Sequence, residues 1–289
     1  MNAPFGRPPD DVRHRTIGSI LIEEGRLRRE DAERILRLQD KKGLTFGEAA
    51  KRLKVLSAED IQYALARQFD HPYLMPGRSR LSKELVAAFS PVTPAAENLR
   101  TVRNQLMLRW FGDNSSNRAI AVVSVDRGDG RSWVAANLAV VFSQLGERTL
   151  LIDGDLRQPR QHRLFGISNR IGLTTLLAGR SAEGSIQNIS ELRDLSVLPA
   201  GAEAPNPQEL LTRSAFKAFL ADMQSKFDII LFDTPAASDY ADAQILAVRA
   251  GAALVIAYDR RSRIAQLERL ADDMRESGAQ IVGSLIRTN

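Results

Sequence analysis

Cysteine is absent from this chain of 289 residues, and histidine is scarce. Without cysteine the protein can have no disulfide, no thiolate metal site and no cysteine nucleophile. The three histidines, His14, His71 and His162, are far apart in the sequence, so a histidine metal cluster is not expected. These absences exclude several classes of enzyme and metalloprotein, but they leave the redox compartment undetermined.

Long apolar runs are also missing. The longest, residues 119–125 and 250–258, are far shorter than the roughly 20 residues that a membrane-spanning helix needs. The first eleven residues lack the apolar stretch of a signal peptide. The sequence therefore predicts a cytoplasmic protein, whose membrane association, if it has one, is provided by a partner.

Lysine is the third scarce residue. Of the 40 basic residues seven are lysines and the other 33 are arginines, and no lysine lies between Glu84 and Phe216. The rest of the composition, 44% hydrophobic and 26% charged, is typical of a soluble globular protein with a full core. The length predicts one large domain with a small one, or two modest ones. A net charge of +5 permits an anionic ligand without requiring nucleic acid.

A tandem repeat occupies the N-terminal part of the chain. The two copies have matching residues at one constant spacing: Ile17 matches Phe46, Leu27 matches Leu56, Asp31 matches Asp60 and Gln39 matches Gln68. Each copy predicts a short apolar helix, a turn and a second, amphipathic helix, which in the second copy begins with a capping box from Ser57 to Asp60. We therefore predict a small all-α domain over residues 15–74, followed by a proline-containing linker over residues 75–95.

This repeat resembles the N-terminal domain of type II secretion and pilus assembly ATPases. The resemblance rests on Gly18, Leu21, Gly25, Leu27 and Gln39 and on the residues at the same positions of the second copy. Some members of that family bind cyclic di-GMP, so the resemblance implies this ligand. The arginine of the family's opening motif is replaced by Thr16 and Thr45, and a repeat that serves packing alone is the alternative.

The remainder of the chain alternates buried strands with amphipathic helices. Continuous apolar strands separated by helices predict a parallel sheet with helices on both faces, and ligands bind such sheets at the carboxyl ends of the strands. We assign this α/β domain to residues 96–289. The predicted strands are residues 119–125, 149–153, 195–199, 229–233, 252–258 and 280–286.

A glycine-containing turn joins the first predicted strand to a helix. Such a turn exposes backbone N–H groups that bind phosphate. Against the P-loop pattern Gly-x-x-x-x-Gly-Lys-[Ser/Thr], only Gly130 and Ser132 match, and Arg131 occupies the lysine position. Taken alone, this turn would be weak evidence for a phosphate site.

Aspartates follow two other predicted strands. Asp153 and Asp155 come at the end of the second, and Asp233 ends the fourth in the form of a Walker B strand. Carboxylate oxygens are the ligands that Mg²⁺ and its water shell prefer. The first, second and fourth predicted strands thus supply complementary parts of one phosphate–magnesium site.

Together these segments resemble the Walker A, Walker A′ and Walker B motifs of the bacterial tyrosine autokinases, which are P-loop NTPases related to ParA and MinD. The arginine in the loop and the fused N-terminal domain are most similar to the EpsG-like, exosortase-linked type. The resemblance implies ATP and Mg²⁺ as cofactors and a protein-tyrosine kinase that regulates exopolysaccharide chain length. It also implies a Wzz-like inner-membrane activator, peripheral location at that membrane, and a homo-oligomeric ring built with Glu97, Arg100 and Arg103.

The resemblance also implies a role for each site residue. ATP would be bound by the residues of the loop and the helix start, Gly128, Asp129, Gly130, Arg131, Ser132 and Trp133. Mg²⁺ would be held by Ser132, Asp155 and Asp233. Arg131 would take the catalytic place of the lysine, although guanidinium binds phosphate as a planar fork and not as a point charge. Asp153 would be the likelier base, although the sequence does not separate it from Asp155.

The tyrosine that accepts phosphate is not identified by the sequence. The family's tyrosine-rich C-terminal tail has no counterpart among Tyr63, Tyr73, Tyr240 and Tyr258, so the acceptor is Tyr63, Tyr73 or another protein. A ParA/MinD-like ATPase that acts as a nucleotide-gated assembly switch is the alternative function. A dehydrogenase ranks third, because the loop lacks the remaining glycine of the dinucleotide fingerprint.

Overall fold

A computed structural model describes residues 16–68, 74, 79–112, 116–180 and 183–288. The chain divides into two compact units, with the boundary between Met75 and Pro76. Among the described residues, every helix is too short or too polar to cross a bilayer.

The N-terminal unit consists of helices α1 (Ile17–Glu23), α2 (Arg29–Lys42), α3 (Phe46–Arg52) and α4 (Ala58–Gln68). Helices α1 and α3 begin at equivalent positions of the two copies of the sequence repeat, and so do α2 and α4. Thr16 and Thr45 cap α1 and α3 at equivalent positions. The apolar faces of the helices form one core that includes Leu21, Ile35 and Ala64. The repeat therefore corresponds to two successive helix pairs that bury their apolar faces in one core.

The two copies also share a turn conformation. Gly25 and Lys54, which occupy equivalent positions of the two copies, have φ angles of 69° and 54°. This left-handed region suits glycine and is unfavourable for a residue with a Cβ. Lys54 adopts it nonetheless, so the second copy keeps the shape of the first without the glycine.

The second unit is built on a seven-stranded sheet. Its strands are β1 (Ala119–Val123), β2 (Thr149–Asp153), β3 (Gln187–Asn188), β4 (Leu195–Leu198), β5 (Ile229–Asp233), β6 (Ala252–Tyr258) and β7 (Gln280–Arg287). The order is β3-β4-β2-β5-β1-β6-β7, and every pair is parallel except β3 with β4. The short edge strand β3 was not predicted, because it has too few residues to carry an apolar pattern. The predicted parallel α/β sheet is otherwise confirmed.

Helices cover both faces of this sheet. They are α5 (Val86–Phe89), α6 (Pro94–Leu106) with a π-helical turn at Met107–Phe111, α7 (Arg131–Ser143), α8 (Gln161–Leu164), α9 (Leu173–Leu177), α10 (Pro207–Thr212), α11 (Ser214–Lys226), α12 (Asp242–Ala250) and α13 (Ile264–Glu276). Strands β1, β2 and β5 are buried along their whole length. Helix α7, which is apolar on all sides, is buried as well.

The segment before α6 differs from the predicted linker. Within residues 79–93, Leu81, Leu85 and Phe89 are buried, and the segment belongs to the α/β unit. The fully buried Asn137 of α7 holds it: its Oδ1 accepts from the N–H of Ala87 at 3.0 Å, and its Nδ2 donates to the Glu84 carbonyl at 3.0 Å. The proline-containing composition predicts a linker, but in the structure an asparagine from a distant part of the sequence bonds to the backbone of this segment and holds it against α7.

We expect Asn137→Ala to lower the free energy of unfolding by about 2–4 kcal/mol, because it leaves the buried N–H of Ala87 without an acceptor and removes one donor from the Glu84 carbonyl. Urea unfolding measures the loss. The control is Asn98→Ala, an exposed position of α6, which we expect to change stability by less than about 0.5 kcal/mol. Equal effects of the two substitutions would contradict the role of Asn137.

Candidate functional site

A cavity of about 210 Å³ opens where the carboxyl ends of β1, β2 and β5 meet. These strands are neighbours in the sheet, and Asp153 of β2 is the register partner of Asp233 of β5. The cavity is lined by Arg127, Gly128, Gly130, Arg131, Ser132, Asp155, Arg157, Gln158, Arg160, Pro235, Ala236, Asp239, Tyr240 and Arg287. The three motifs recognised in the sequence therefore come together at one edge of the sheet.

The loop after β1 is held in a tight conformation. Gly128 and Gly130 have φ angles of 82° and 97°, and Gly130 is the residue that precedes α7. The buried carboxylate of Asp129 accepts a hydrogen bond from the backbone N–H of Asp126 at 3.0 Å, which closes the loop on itself. The first N–H groups of a helix have no acceptor within it and carry partial positive charge. The start of α7 is accordingly suited to bind an anion.

Arg131, in the lysine position of the P-loop pattern, lines the cavity but uses two of its nitrogens within the protein. Its side chain is buried, with Nε donating to the Thr234 carbonyl at 2.9 Å and Nη1 donating to Ser124 Oγ at 2.5 Å and to the Asp126 carbonyl at 2.6 Å. These bonds connect the loop after β1 to the residue that follows β5. In this structure the guanidinium braces the site, and its catalytic role stays a prediction.

Two of the three aspartates are completely buried. Asp153 Oδ2 accepts the N–H groups of Arg160 and Gln161, each at 2.9 Å. Asp233 Oδ2 accepts Gln161 Nε2 at 2.8 Å, and the same amide donates to the Ser132 carbonyl at 3.0 Å. The Oδ1 atoms of both aspartates have no partner within the described chain. Gln161, which the sequence analysis missed, therefore joins all three motifs.

Asp155 has a different environment. It lines the cavity, and its Oδ1 accepts the N–H groups of Arg157 at 3.2 Å and Gln158 at 2.8 Å. Asp153 is not among the lining residues. The structure thus separates the two aspartates that the sequence could not: Asp155 faces the cavity, whereas Asp153 anchors the start of α8.

Burial changes the ionisation of the inner carboxyl groups. Desolvation, followed by the charge of Asp233, raises the pKa of Asp153 well above its ordinary value. Desolvation also raises the pKa of Asp233 to about 6, and the hydrogen bond from Gln161 and the charge of Arg131 offset part of this effect. A divalent cation near the unpartnered Oδ1 of Asp233 would favour its ionised form.

The residues present fit a magnesium ion that is held partly by phosphate. The described residues contain no group of three or more His, Cys, Asp or Glu side chains arranged to enclose a metal. Mg²⁺ in nucleotide sites takes one or two carboxylates and keeps several waters. Ser132, Asp155 and Asp233 could supply such a partial shell, with Asp233 offering an unpartnered oxygen.

Five of the described arginines line the cavity, of which only Arg131 had been assigned to the site from the sequence. Three of the others form ion pairs: Arg127 with Asp239, Arg157 with Asp242 at 3.0 Å, and Arg160 with Glu84 at 2.6 Å. Arg157 also lies over the ring of Tyr240, 3.7 Å from its centroid. Arg157 and Arg160 follow Asp155 closely in the sequence and could have been recognised as residues of the site. Arg287 belongs to no motif, so the sequence gives no signal for it.

The predicted ring-forming residues lie elsewhere, on α6. Glu97 is exposed and forms an ion pair with Arg100, which also donates to the Pro91 carbonyl at 2.6 Å. Arg103 donates to the Val141 carbonyl near the end of α7 at 3.0 Å. Desolvation lowers the pKa of Arg103. These side chains do not line the cavity, and in this structure both arginines bond to backbone carbonyls of their own unit.

The fold and the cavity define a P-loop nucleotide-binding domain. The profile of the family described as an AAA domain matches residues 117–270. The structure is similar to the kinase domain of Escherichia coli tyrosine kinase ETK, with a TM-score of 0.67 and 26% identity over 71% of this chain and 79% of that one. It is also similar to the chimerical protein CapA2B2, with a TM-score of 0.66 and 29% identity over 78% and 97%. MinD from Pyrococcus horikoshii, solved with Mg-ADP, shares the fold at a TM-score of 0.52.

Proteins related in sequence show which family of P-loop proteins the chain belongs to. The chain is 37% identical to the tyrosine-protein kinase YwqD of Bacillus subtilis over 179 residues, which are 62% of this chain and 75% of YwqD. It is 31% identical over 205 residues to the tyrosine-protein kinase Wzc of Salmonella typhimurium, covering 71% of this chain but only 28% of Wzc. The chain therefore belongs to the bacterial tyrosine-protein kinases.

We expect Arg131→Ala to lower the free energy of unfolding by about 2–4 kcal/mol, since it leaves Ser124 and two carbonyl groups without their donor. Arg131→Lys should lose less, because an ammonium can replace some of these bonds. Urea unfolding measures both variants. The control is Arg170→Ala, at an exposed position. Wild-type stability of Arg131→Ala would rule out the bracing role.

We expect Asp233→Asn to stabilise the protein in EDTA, and increasingly so as the pH rises. The raised pKa of Asp233 means that its contribution to stability is full below about pH 4 and is lost as the pH rises to about 6. The asparagine should gain about 1–3 kcal/mol between pH 4 and pH 7 relative to wild type. Urea unfolding at both pH values measures the gain, and the exposed Asp272→Asn should show none. A gain that falls with rising pH would contradict the burial argument.

Proposed function

We propose that the protein is an ATP-dependent protein-tyrosine kinase that regulates exopolysaccharide polymerisation, chain length and export. The observation that carries the proposal is the cavity at the ends of β1, β2 and β5. It combines a glycine loop, the start of α7 and Asp155, in a chain 37% identical to the tyrosine-protein kinase YwqD. A neighbour of the same fold, MinD, was solved with Mg-ADP.

Each part of the cavity has a role in phosphoryl transfer. The loop from Gly128 to Ser132, with Asp129 holding its shape, and the start of α7 at Trp133 would bind the phosphates of ATP. Ser132 and Asp233 would hold Mg²⁺, which would neutralise charge on the phosphates, and Asp155 would contact the ion through its water shell. Arg131 keeps this loop against β5 through its carbonyl contacts.

Asp155 is the better candidate for the base that accepts the proton of the tyrosine hydroxyl. It faces the cavity, whereas Asp153 is fully buried and bonded through Oδ2 to the backbone of α8. Desolvation also favours the protonated form of Asp153. We assign to Asp153 the positioning of Gln161, through which it supports Asp233.

The acceptor tyrosine is proposed to lie in another protein or another copy of the chain. Tyr63 is buried in the N-terminal unit, with 8% of its surface exposed, and Tyr73 lies outside the described residues. Tyr240 lies in the cavity wall beneath Arg157, and Tyr258 is half-buried at the end of β6. Of the described tyrosines, none lies in an exposed flexible segment that could reach a neighbouring active site.

Partners belong to the same proposal. A Wzz-like inner-membrane protein would activate the kinase and place it at the membrane, and Glu97, Arg100 and Arg103 would contribute to a homo-oligomeric ring. That the chain is of the EpsG-like, exosortase-linked type stays a prediction. Cyclic di-GMP binding also stays a prediction. The cavity of about 600 Å³ in the N-terminal unit is mostly apolar, and its described lining contains no arginine or lysine.

A second candidate function is a nucleotide-gated assembly switch without tyrosine kinase activity. One observation favours it: Arg131, the residue in the lysine position, lines the cavity but has its Nε and Nη1 bonded to carbonyl oxygens of the protein. A site without a mobile lysine could bind nucleotide and hydrolyse it slowly.

The experiment that separates the two is phosphotyrosine mass spectrometry of the purified chain, incubated with Mg-ATP and with its candidate activator. We expect ATP-dependent phosphotyrosine in the wild type and at least a hundredfold slower formation in Asp155→Asn, because a positioned base contributes about that much. Asp272→Asn, an exposed carboxylate of α13, is the matched control. Nucleotide-dependent oligomerisation without any phosphotyrosine would favour the switch.

A further inference from the structure

Arg287, the last residue of β7, reaches the nucleotide cavity from a part of the chain that no motif marks. Its guanidinium lies 5.0 Å from the ring centroid of Trp133 and 5.8 Å from that of Tyr258, its register partner in β6. A Cβ placed on Gly130 would collide with this guanidinium. Arg287 therefore lies directly over the glycine that precedes α7.

Arg287 differs from the other arginines of the cavity in how its charge is used. Arg127, Arg157 and Arg160 are paired with carboxylates, and Arg131 donates to carbonyl and hydroxyl oxygens. Among the described residues, Arg287 has no ion pair and its side chain makes no hydrogen bond; its contacts are the aromatic rings. Among the five cavity arginines, Arg287 is thus the one whose side-chain donors the described part of the protein leaves unused.

The aromatic contact holds the side chain without using its donors. An indole face attracts a guanidinium through the ring quadrupole, and the five N–H groups in the guanidinium plane remain available. Those groups form the fork that binds phosphate in a bidentate manner, with charge-assisted bonds about twice as strong as neutral ones. Trp133 is in the first turn of α7, so this placement directs the fork toward the region where the loop would bind phosphate.

We propose that Arg287 binds the phosphates of the nucleoside triphosphate and supplies the mobile positive charge that Arg131 does not. The assignment rests on the proposed function, since it requires that the cavity binds ATP. This role for Arg287 explains how a P-loop without lysine can still neutralise the charge of its ligand. Arg131 braces the loop, and Arg287, from the end of the last strand, contacts the anion.

The test measures affinity for Mg-ATP by isothermal titration calorimetry on the full chain. We expect Arg287→Ala to bind ATP at least tenfold more weakly, which is the size of a lost charge-assisted hydrogen bond. Arg287→Lys should be intermediate, because it keeps the charge but not the fork. Arg193→Ala, whose side chain is 92% exposed and outside the cavity, is the control and should bind as wild type does. Thermal unfolding checks that the variants are folded.

A second probe, inorganic triphosphate, separates phosphate binding from contact with the base. Its affinity should fall by the same factor as that of ATP in Arg287→Ala. Loss for ATP alone would overturn the inference, as would unchanged ATP affinity or tighter binding, which would mean that Arg287 blocks the site. Each of these outcomes leaves the kinase proposal intact if the variant still forms phosphotyrosine. A wild-type chain that binds no ATP would overturn both.

Discussion

Two carboxylates buried at the ends of adjacent strands constrain the edge of the sheet at which the cavity lies. Asp153 and Asp233 are register partners with no exposed surface, and a buried carboxylate is costly unless donors satisfy it. Gln161 donates to the Oδ2 atom of each, through its backbone N–H and its side-chain amide, whereas their Oδ1 atoms have no partner in the described chain. The Gln161 amide also reaches Ser132, so the geometry of the phosphate loop depends on the same residue that donates to the carboxylates.

The substitution of arginine for lysine in the loop changes the division of work within the site. A lysine there can move between the loop and a ligand, whereas Arg131 spans two chain segments with a planar group and is held by three oxygens. Arg131 therefore gives the loop rigid support, and a mobile positive charge for the phosphates must come from another residue. Arg287, held against Trp133, is placed to provide this charge. The two arginines would then act together in one cavity, although they are far apart in the sequence.

The sequence was sufficient wherever the signal was local. The tandem repeat predicted two helix pairs, and apolar runs ending in aspartate predicted β2, β5 and the edge at which the cavity lies. What it could not predict depends on contacts between distant residues. Asn137 fixes a proline-rich segment far before it in the chain, and Arg287 meets Gly130 from the end of the last strand. The orientation of Arg131 also lay beyond sequence reasoning, because a motif names the residue but not the oxygens that its side chain contacts.

Helix α7 connects several of these features. It begins at the phosphate loop, carries Trp133 and Asn137 along its length, and near its end its Val141 carbonyl accepts a hydrogen bond from Arg103 of α6. The helix is almost entirely buried. Its two ends therefore lie at the two surfaces for which binding is proposed, the nucleotide cavity and the ring-forming face of α6.

The scarcity of lysine also determines how this site can be studied and modified. No lysine lines the described cavity, and the chain has none between Glu84 and Phe216. Guanidinium groups stay protonated and are poor nucleophiles at neutral pH. Acyl-phosphate nucleotide probes, which label P-loop proteins by acylating a lysine beside the phosphates, would leave this cavity unmarked, and acetylation could not switch its charge.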